Sequence, residues 1–317
     1  MPPGARILVT GAAGFVGGHL RDALRMAFGD ARLIAAIHRR PAMGWDESVT
    51  LNLADAAGLA GQLAAIAPDA VVHLGAQANV AQSFQDVAAT WEANLTASLN
   101  LGAALMRARP ACRLLFASTG EIYGLSFQQG VALDENAPLA PGNPYAAAKA
   151  AADIALGEMA LRGLAVIRMR PLNHVGPGQS EGYAVAAFAR QIALIEAGRQ
   201  APVMAVGALE RWRDFLDVRD VCAAYAQALA QWERLPNGVA LNIASGVPRR
   251  IGDVLAGLLG RSDRVIRVEE AAHALRPNDV IRSLGDAGRA HAMLGWQPMI
   301  DWETTLDDVL ADWRARV

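Results

Sequence analysis

The strongest constraint on the fold is the stretch "RILVTGAAGFVGGHL", residues 6–20. A short apolar run leads directly into Gly11, Gly14 and Gly17, a GxxGxxG spacing. The run reads as a strand, the glycines as a tight turn, and the residues after them as a helix. Such a turn lets the backbone approach a pyrophosphate, while the helix N-terminus offers free N–H groups and the positive end of its dipole. Helix packing alone can also select glycine. The position directly after an N-terminal strand is what points to a dinucleotide.

A chain that opens this way is expected to continue as strand and helix in alternation, and it does. "RLIAAIH", "DAVVHLG", "CRLLFAS", "LAVIRMR" and "GVALNIAS" read as further core strands. Helices are expected through residue 26, over 86–109, along "NPYAAAKAAADIALGEMALR" and over 183–197. Asn143-Pro144 supplies a cap and a first-turn residue for the third of these. "PVMAV" reads as a short strand, and "RDFLDVRDVCAAYAQALAQW" as a turn followed by a helix. The pattern predicts an α/β fold, a Rossmann-type doubly wound parallel sheet with a smaller C-terminal substrate-binding lobe. We expect a dinucleotide-binding domain over 1–172, with 216–245 returning to it, and a substrate lobe from 173–215 and 246–317.

Composition narrows the function classes. With a net charge of −2 over 317 residues, nothing implies a pull toward nucleic acid or an anionic membrane. No apolar run is long enough to span a bilayer, and the N-terminus lacks the apolar core of a signal peptide. Cys112 and Cys222 are far apart and read as reduced thiols, so a cytoplasmic protein is expected. The six histidines form no HExxH and no Cys/His cluster, so no metal site is expected.

The cofactor type is read at the end of the second strand. An NAD site places an acid there, on the ribose 2′-hydroxyl. Here the residues are His38, Arg39 and Arg40, which suit a 2′-phosphate or else form a solvated basic turn. NADP(H) is therefore expected, with NAD(H) as the alternative. Asn52 and Leu53 lie where an amide reads the adenine edge. Tyr145 and Lys149 sit four apart, on one face of the third helix. A lysine cation near a phenol favours the phenolate, letting Tyr145 exchange a proton with a carbinol or ketone. Thr119, in "ASTGEIYG", can hydrogen-bond the same oxygen, and Ser118 is structural or faces the cofactor. Taken alone, a Tyr-x-x-x-Lys pair is common. After the glycine loop and the "ASTGEIYG" strand end, it is specific.

In this order the motifs resemble the extended short-chain dehydrogenase/reductases, in their nucleotide-sugar branch. The resemblance covers nearly the whole chain and includes "TGAAGFVG", "VVHLGAQANV", "ASTGEIYG", "NPYAAAK" and "RPLNHVGPGQ". "FARQIALIEAG" and "RPNDV" bring it nearest to the GDP-4-keto-6-deoxy-D-mannose reductases and the GDP-mannose 4,6-dehydratases. It implies that Gly11, Gly14, Phe15 and Val16 line a pyrophosphate and that Leu74, Gly75, Ala76 and Gln77 run under the cofactor. Tyr145 and Lys149 would hold the nicotinamide ribose as well as serve catalysis. Leu172 and His174 would close over the nicotinamide, unless His174 is only a loop residue. Asn173 would face the sugar nucleotide. Arg190, Arg213 and Arg276 are candidate contacts to a GDP-sugar, since arginine forks match a diphosphate, although an isolated arginine is commonly a solvated one. Asp279 would accept from ribose or guanine, or simply form a turn. A homodimer paired through the Tyr/Lys helix is expected.

Three activities fit the resemblance. In a reductase, the C4 ketone of GDP-4-keto-6-deoxy-D-mannose receives hydride from NADPH and a proton from Tyr145, giving a GDP-6-deoxyhexose of the GDP-rhamnose type. In a dehydratase or a 4-epimerase, the sugar is first oxidised, and a dehydratase then needs a carboxylate base, for which Glu121 stands in place. Gly120, between Thr119 and Glu121, and the short chain favour the reductase. A non-catalytic NADP sensor is the reading from another class, and the intact Tyr/Lys pair disfavours it.

Overall fold

The computed structural model describes residues 1–38, 41–270 and 280–317. Its elements begin β1 (Arg6–Thr10), α1 (Phe15–Ala27), β2 (Arg32–Ile37), β3 (Glu47–Thr50), α2 (Leu59–Ile66) and β4 (Ala70–His73). Then come α3 (Val80–Gln85), α4 (Val87–Trp91), α5 (Ala97–Ala108), β5 (Arg113–Ala117), α6 (Pro144–Leu161), β6 (Val166–Pro171) and β7 (Asn173–Val175). After these follow α7 (Ala184–Glu196), β8 (Val203–Val206), β9 (Trp212–Asp217), α8 (Val218–Ala230), β10 (Ala240–Ile243) and β11 (Pro248–Arg250). The chain closes with α9 (Ile251–Leu259), β12 (Arg267–Glu270), α10 (Gly288–Leu294) and α11 (Trp302–Arg316).

Among the described residues, seven strands form one sheet in the order β10-β6-β5-β4-β1-β2-β3, every pair parallel. The order reverses between β1 and β4, which is where a doubly wound sheet opens a crevice at the carboxyl ends of its strands. Alternation along each strand covers both faces. Ile7 and Val9 pack with Leu20 and Leu24 of α1 and with Val221 and Tyr225 of α8. Leu8 faces the other side, with Leu63 of α2, Leu105 of α5 and Leu156 of α6. All of these side chains are almost fully removed from water, and each contributes about 1.5–3 kcal/mol on burial. A separate core joins Phe188 and Ile192 of α7, Leu255 of α9, Met204 of β8 and Val309 of α11. A three-stranded sheet, β11-β9-β7, runs beside it. β7 begins two residues after β6 ends, so the chain passes directly from the main sheet into this second group.

Several elements differ from the expectations, among them β7, which lies in a stretch that reads as a loop. β3 has no counterpart in the sequence reading, because a four-residue edge strand with a single buried-type residue, Val49, carries no visible periodicity. The helix expected over 86–109 begins after its cap Asp86, whose side chain accepts from Ala89 N, and is interrupted by a π-helical turn over Glu92–Thr96. Residues 213–217, read as a turn, belong to β9, which pairs with both β7 and β11. The charges in "WRDFLD" hid that strand: Asp214 is fully buried, but its carboxylate accepts from Ser245 N and Oγ and from Gly246 N.

Candidate active site

The crevice at the switch point is a cleft of about 1680 Å³, running from the glycine turn to α7 and β9. Its floor is built by close backbone contact. Gly11 has φ +72°, and a Cβ there would lie 2.9 Å from Gly75 N and 3.0 Å from Leu74 C. A Cβ on Gly17 would fall 2.4 Å from Ala12 O. Gly14 is the N-cap of α1 and provides no side chain to occupy the first-turn N–H groups. They are left facing the cleft, where Gly14, Phe15, Val16 and Gly17 line its wall. A bare helix terminus over a side-chain-free turn fits a dinucleotide pyrophosphate.

The opposite floor is pinned by a hydrogen-bond chain that sequence reading missed. Gly75 N donates to Thr10 Oγ1, 3.0 Å, and the Thr10 hydroxyl donates to His73 Nδ1, 2.7 Å. His73 Nε2 therefore carries the proton and donates to Ser98 Oγ, 3.0 Å, which donates to Asn94 O, 2.8 Å. Asn94, in the π turn, accepts from Gln77 N at 2.7 Å and donates to Gln77 O at 3.0 Å. Burial, with the Lys149 charge adding to it, pulls His73 down to about 3, so it stays neutral and the chain keeps its order. His73 was visible in "VVHLGAQANV", but only the parallel register that sets it opposite Thr10 reveals its partner.

The reacting end lies past the ends of β5 and β6. The Thr119 side chain caps the 3-10 helix Gly120–Gln129 by accepting from Glu121 N, 3.2 Å. This leaves its hydroxyl proton for the Tyr145 phenol, whose pKa Thr119 acts to lower. Asn143 caps α6 through Ala146 N, 2.8 Å, and so fixes the turn that presents Tyr145. Lys149 follows one turn later and is 3% exposed. Its Nζ donates to Ala117 O at 2.5 Å and lies 4.1 Å from the centre of the Phe116 ring.

The electrostatics differ from the sequence expectation. Desolvation pushes the Tyr145 phenol up; the Thr119 hydrogen bond opposes this, and Glu121 and Tyr183 add to it. Lys149 itself is pulled down to about 7, mainly by burial, against the opposing charge of Asp153. The phenol's own loss of water is the largest cause, and Lys149 is not among the groups that offset it, so the phenol is not lowered as the spacing suggested.

The remaining expected residues are distributed as follows. Leu74, Gly75, Ala76, Gln77, His38, Asn52 and Leu53 line the cofactor half of the cleft. Asn52 Oδ1 accepts from Ala54 N in a local turn. Leu172, Asn173, His174, Thr119 and Glu121 line the reacting half. His174 stacks with Phe15, centroids 6.2 Å apart, and donates from Nδ1 to Leu172 O, 3.1 Å; burial lowers its pKa. Arg213 lines the cleft and donates to Trp212 O and Val280 O. Arg190 is outside the lining and is paired with Glu181, 2.5 Å, which is in it. Arg39, Arg276 and Asp279 lie outside the described residues. Arg211 and Tyr183 are among the lining residues that sequence reading did not single out. Arg211, just before β9, lines the cleft together with Arg213. The Tyr183 hydroxyl donates to Ala78 O, 3.3 Å, across the cleft.

A Rossmann sheet with a phosphate turn at its switch point, and a Thr/Tyr/Lys group beyond it, defines a dinucleotide-dependent enzyme. The chain belongs to the NAD dependent epimerase/dehydratase family, whose profile matches residues 7–244. It is 34% identical to the GDP-6-deoxy-D-mannose reductase of Pseudomonas aeruginosa over 313 residues, 98% of each chain. In three dimensions it is similar to RMD from Pseudomonas aeruginosa complexed with NADPH, with a TM-score of 0.87 and 33% identity over 99% of this chain and 100% of that one. The UDP-glucose 4-epimerase of Thermus thermophilus in complex with NAD aligns with a TM-score of 0.83 and 27% identity, covering 98% of this chain and 100% of that one.

Proposed function

We propose that this protein reduces the C4 ketone of GDP-4-keto-6-deoxy-D-mannose to a GDP-6-deoxyhexose of the GDP-rhamnose type, using NADPH. The observation that carries the reading is the Thr119–Tyr145 hydroxyl pair at the end of a cleft that starts as a dinucleotide cradle. The full-length likeness to a GDP-6-deoxy-D-mannose reductase supports the substrate, and the NADPH in a structural neighbour supports the cofactor. NAD(H) is the alternative cofactor.

Gly11, Gly14, Phe15 and Val16 would hold the pyrophosphate, His38 and Arg39 the 2′-phosphate, and Lys149 the nicotinamide ribose. The bound cofactor supplies the electron pair that reduces the ketone. The protein's own residues align the sugar and manage one proton. Thr119 donates to the carbonyl oxygen and polarises it; Tyr145 gives its phenolic proton to that oxygen as negative charge develops. The raised Tyr145 pKa keeps the phenol protonated, the form a reductase needs. Arg211 and Arg213, which line the cleft, would meet the substrate diphosphate, and Asn173 the sugar. On this reading residues 1–172 with 216–245 bind the dinucleotide, and 173–215 with 246–317 bind the nucleotide sugar. A homodimer in the cytoplasm completes the proposal. Phe84, Val87 and Trp91 on α3 and α4, and Ile154 on α6, are exposed apolar side chains that support pairing through this face.

Two substitutions test the roles. Tyr145→Phe should lower kcat by about a hundredfold or more while nucleotide-sugar binding, followed by calorimetry, is retained; near-normal turnover would mean another proton donor. Glu121→Gln should change kcat for NADPH-dependent reduction by less than about threefold, since the reductase assigns it no proton transfer. Abolished reduction would make the carboxylate a catalytic base.

A further inference from the structure

Leu172 occupies a seat made by two glycines from distant parts of the chain. A Cβ on Gly120 would stand 2.7 Å from Leu172 Cδ1 and 3.0 Å from Cδ2. A Cβ on Gly285 would stand 2.7 Å from Leu172 Cδ2, and also 2.7 Å from the Ala244 Cβ. Neither glycine has a positive φ, so backbone conformation does not require them. What requires them is the space the leucine fills. Rotating Leu172 does not relieve a side chain at 120, because its other methyl already abuts Gly285.

The 283–286 segment behind the leucine is itself fixed. Ser283 N donates to Trp212 O, 3.0 Å, and Asp214 N to Ser283 O, 3.1 Å. Gly285 N donates to the buried Asp214 Oδ2, 3.3 Å, and Asp286 N to Leu133 O, 2.9 Å. Leu172 N is held by Ile243 O, 2.8 Å. The movable side of the contact is therefore the turn at residues 119–121, which lines the open cleft. That turn carries Thr119 and Glu121.

We infer that Gly120 and Gly285 are positioning residues for the reaction. By leaving Leu172 a seat without slack, they set how far the Thr119–Glu121 turn stands from Tyr145. The inference rests on the reductase reading for its kinetic consequence, and on packing alone for its geometry. A methyl at 120 moves the turn into the cleft and carries the Thr119 hydroxyl away from the carbonyl oxygen.

The experiment is a double-mutant cycle of Gly120→Ala with Leu172→Val, reading kcat, KM and NADPH affinity by fluorescence titration. In the wild-type background Gly120→Ala should lower kcat by about tenfold or more, a loss in line with a sub-ångström to ångström misplacement of a reacting group. NADPH affinity should stay within about twofold, since the pyrophosphate cradle is untouched, and in the Leu172→Val background the same substitution should cost less than about threefold. Should Gly120→Ala not accumulate as folded protein, Gly285→Ala presses the leucine from the other side, and its kcat loss should again shrink in the Leu172→Val background, leaving only the part owed to the Ala244 contact. Equal costs in both backgrounds, or an unchanged kcat, overturn the inference. If the wild type does not turn over the keto sugar, the reductase reading fails, and a crystal structure of Gly120→Ala decides this point by itself. Thr119 displaced with Leu172 in place supports it; Leu172 rotated with Thr119 unmoved overturns it.

Discussion

Lys149 Nζ rests on a carbonyl and an aromatic face, with almost no water around it. This gives the cofactor-free protein a measurable signature. Its folded pKa, about 7, is below the ordinary 10.5. Between those values the unfolded chain binds a proton that the folded chain does not, so this residue makes stability rise with pH above about 7. Below 7 its penalty is present in full. From pH 7 to 9 the wild type should gain about 1 kcal/mol per pH unit relative to Lys149→Met, measured by urea unfolding. Parallel pH dependences would show that Lys149 is not held as a buried base. At this scale the sequence was informative about identity and poor about environment. The i,i+4 spacing of Tyr145 and Lys149 placed them on one face. It could not show the depth of burial, which reverses the expected shift on the phenol. Arg190 shows the same gap: its pairing with Glu181 depends on how the 180–183 turn meets α7.

The glycine turn between β1 and α1 was legible because its glycines are needed for local reasons, a positive φ at Gly11 and close backbone approach. Gly11→Ala would cost about 1–2 kcal/mol for the left-handed conformation alone. Its Cβ would also push Leu74 and Gly75 off the floor. NADPH affinity should fall by about tenfold or more, and unchanged affinity would place the pyrophosphate elsewhere. The elements that were not legible depend on distant partners. β3 exists because it completes an edge beside β2, and β9 because Ser245 and Gly246 satisfy a buried aspartate in it. The π turn that interrupts the helix before α5 aims Asn94 at Gln77, and no local sequence pattern marks it.

At the scale of the whole molecule, the parallel sheet, its switch point and the alternation of helices across it follow from the order of motifs along the chain. The way the described residues after β6 pack together does not, because the segments are short and their core forms only when α7, α9 and α11 meet. The surface carries its own prediction. Ile154 is 58% exposed on α6, and Val87 and Trp91 on α4, which packs against α6, are also uncovered. If that face joins two copies, Ile154→Asp should convert the dimer to a monomer in light scattering, with the fold retained by circular dichroism. A wild-type monomer at micromolar concentration would contradict it. The central claim concerns the reaction itself, and the direct measurement is NADPH consumption with product analysis in two parallel incubations. One contains GDP-4-keto-6-deoxy-D-mannose and NADPH, the other GDP-mannose. We predict that NADPH is consumed only with the keto sugar, with a GDP-6-deoxyhexose as product. A 4-keto sugar formed from GDP-mannose without net NADPH loss would contradict the account.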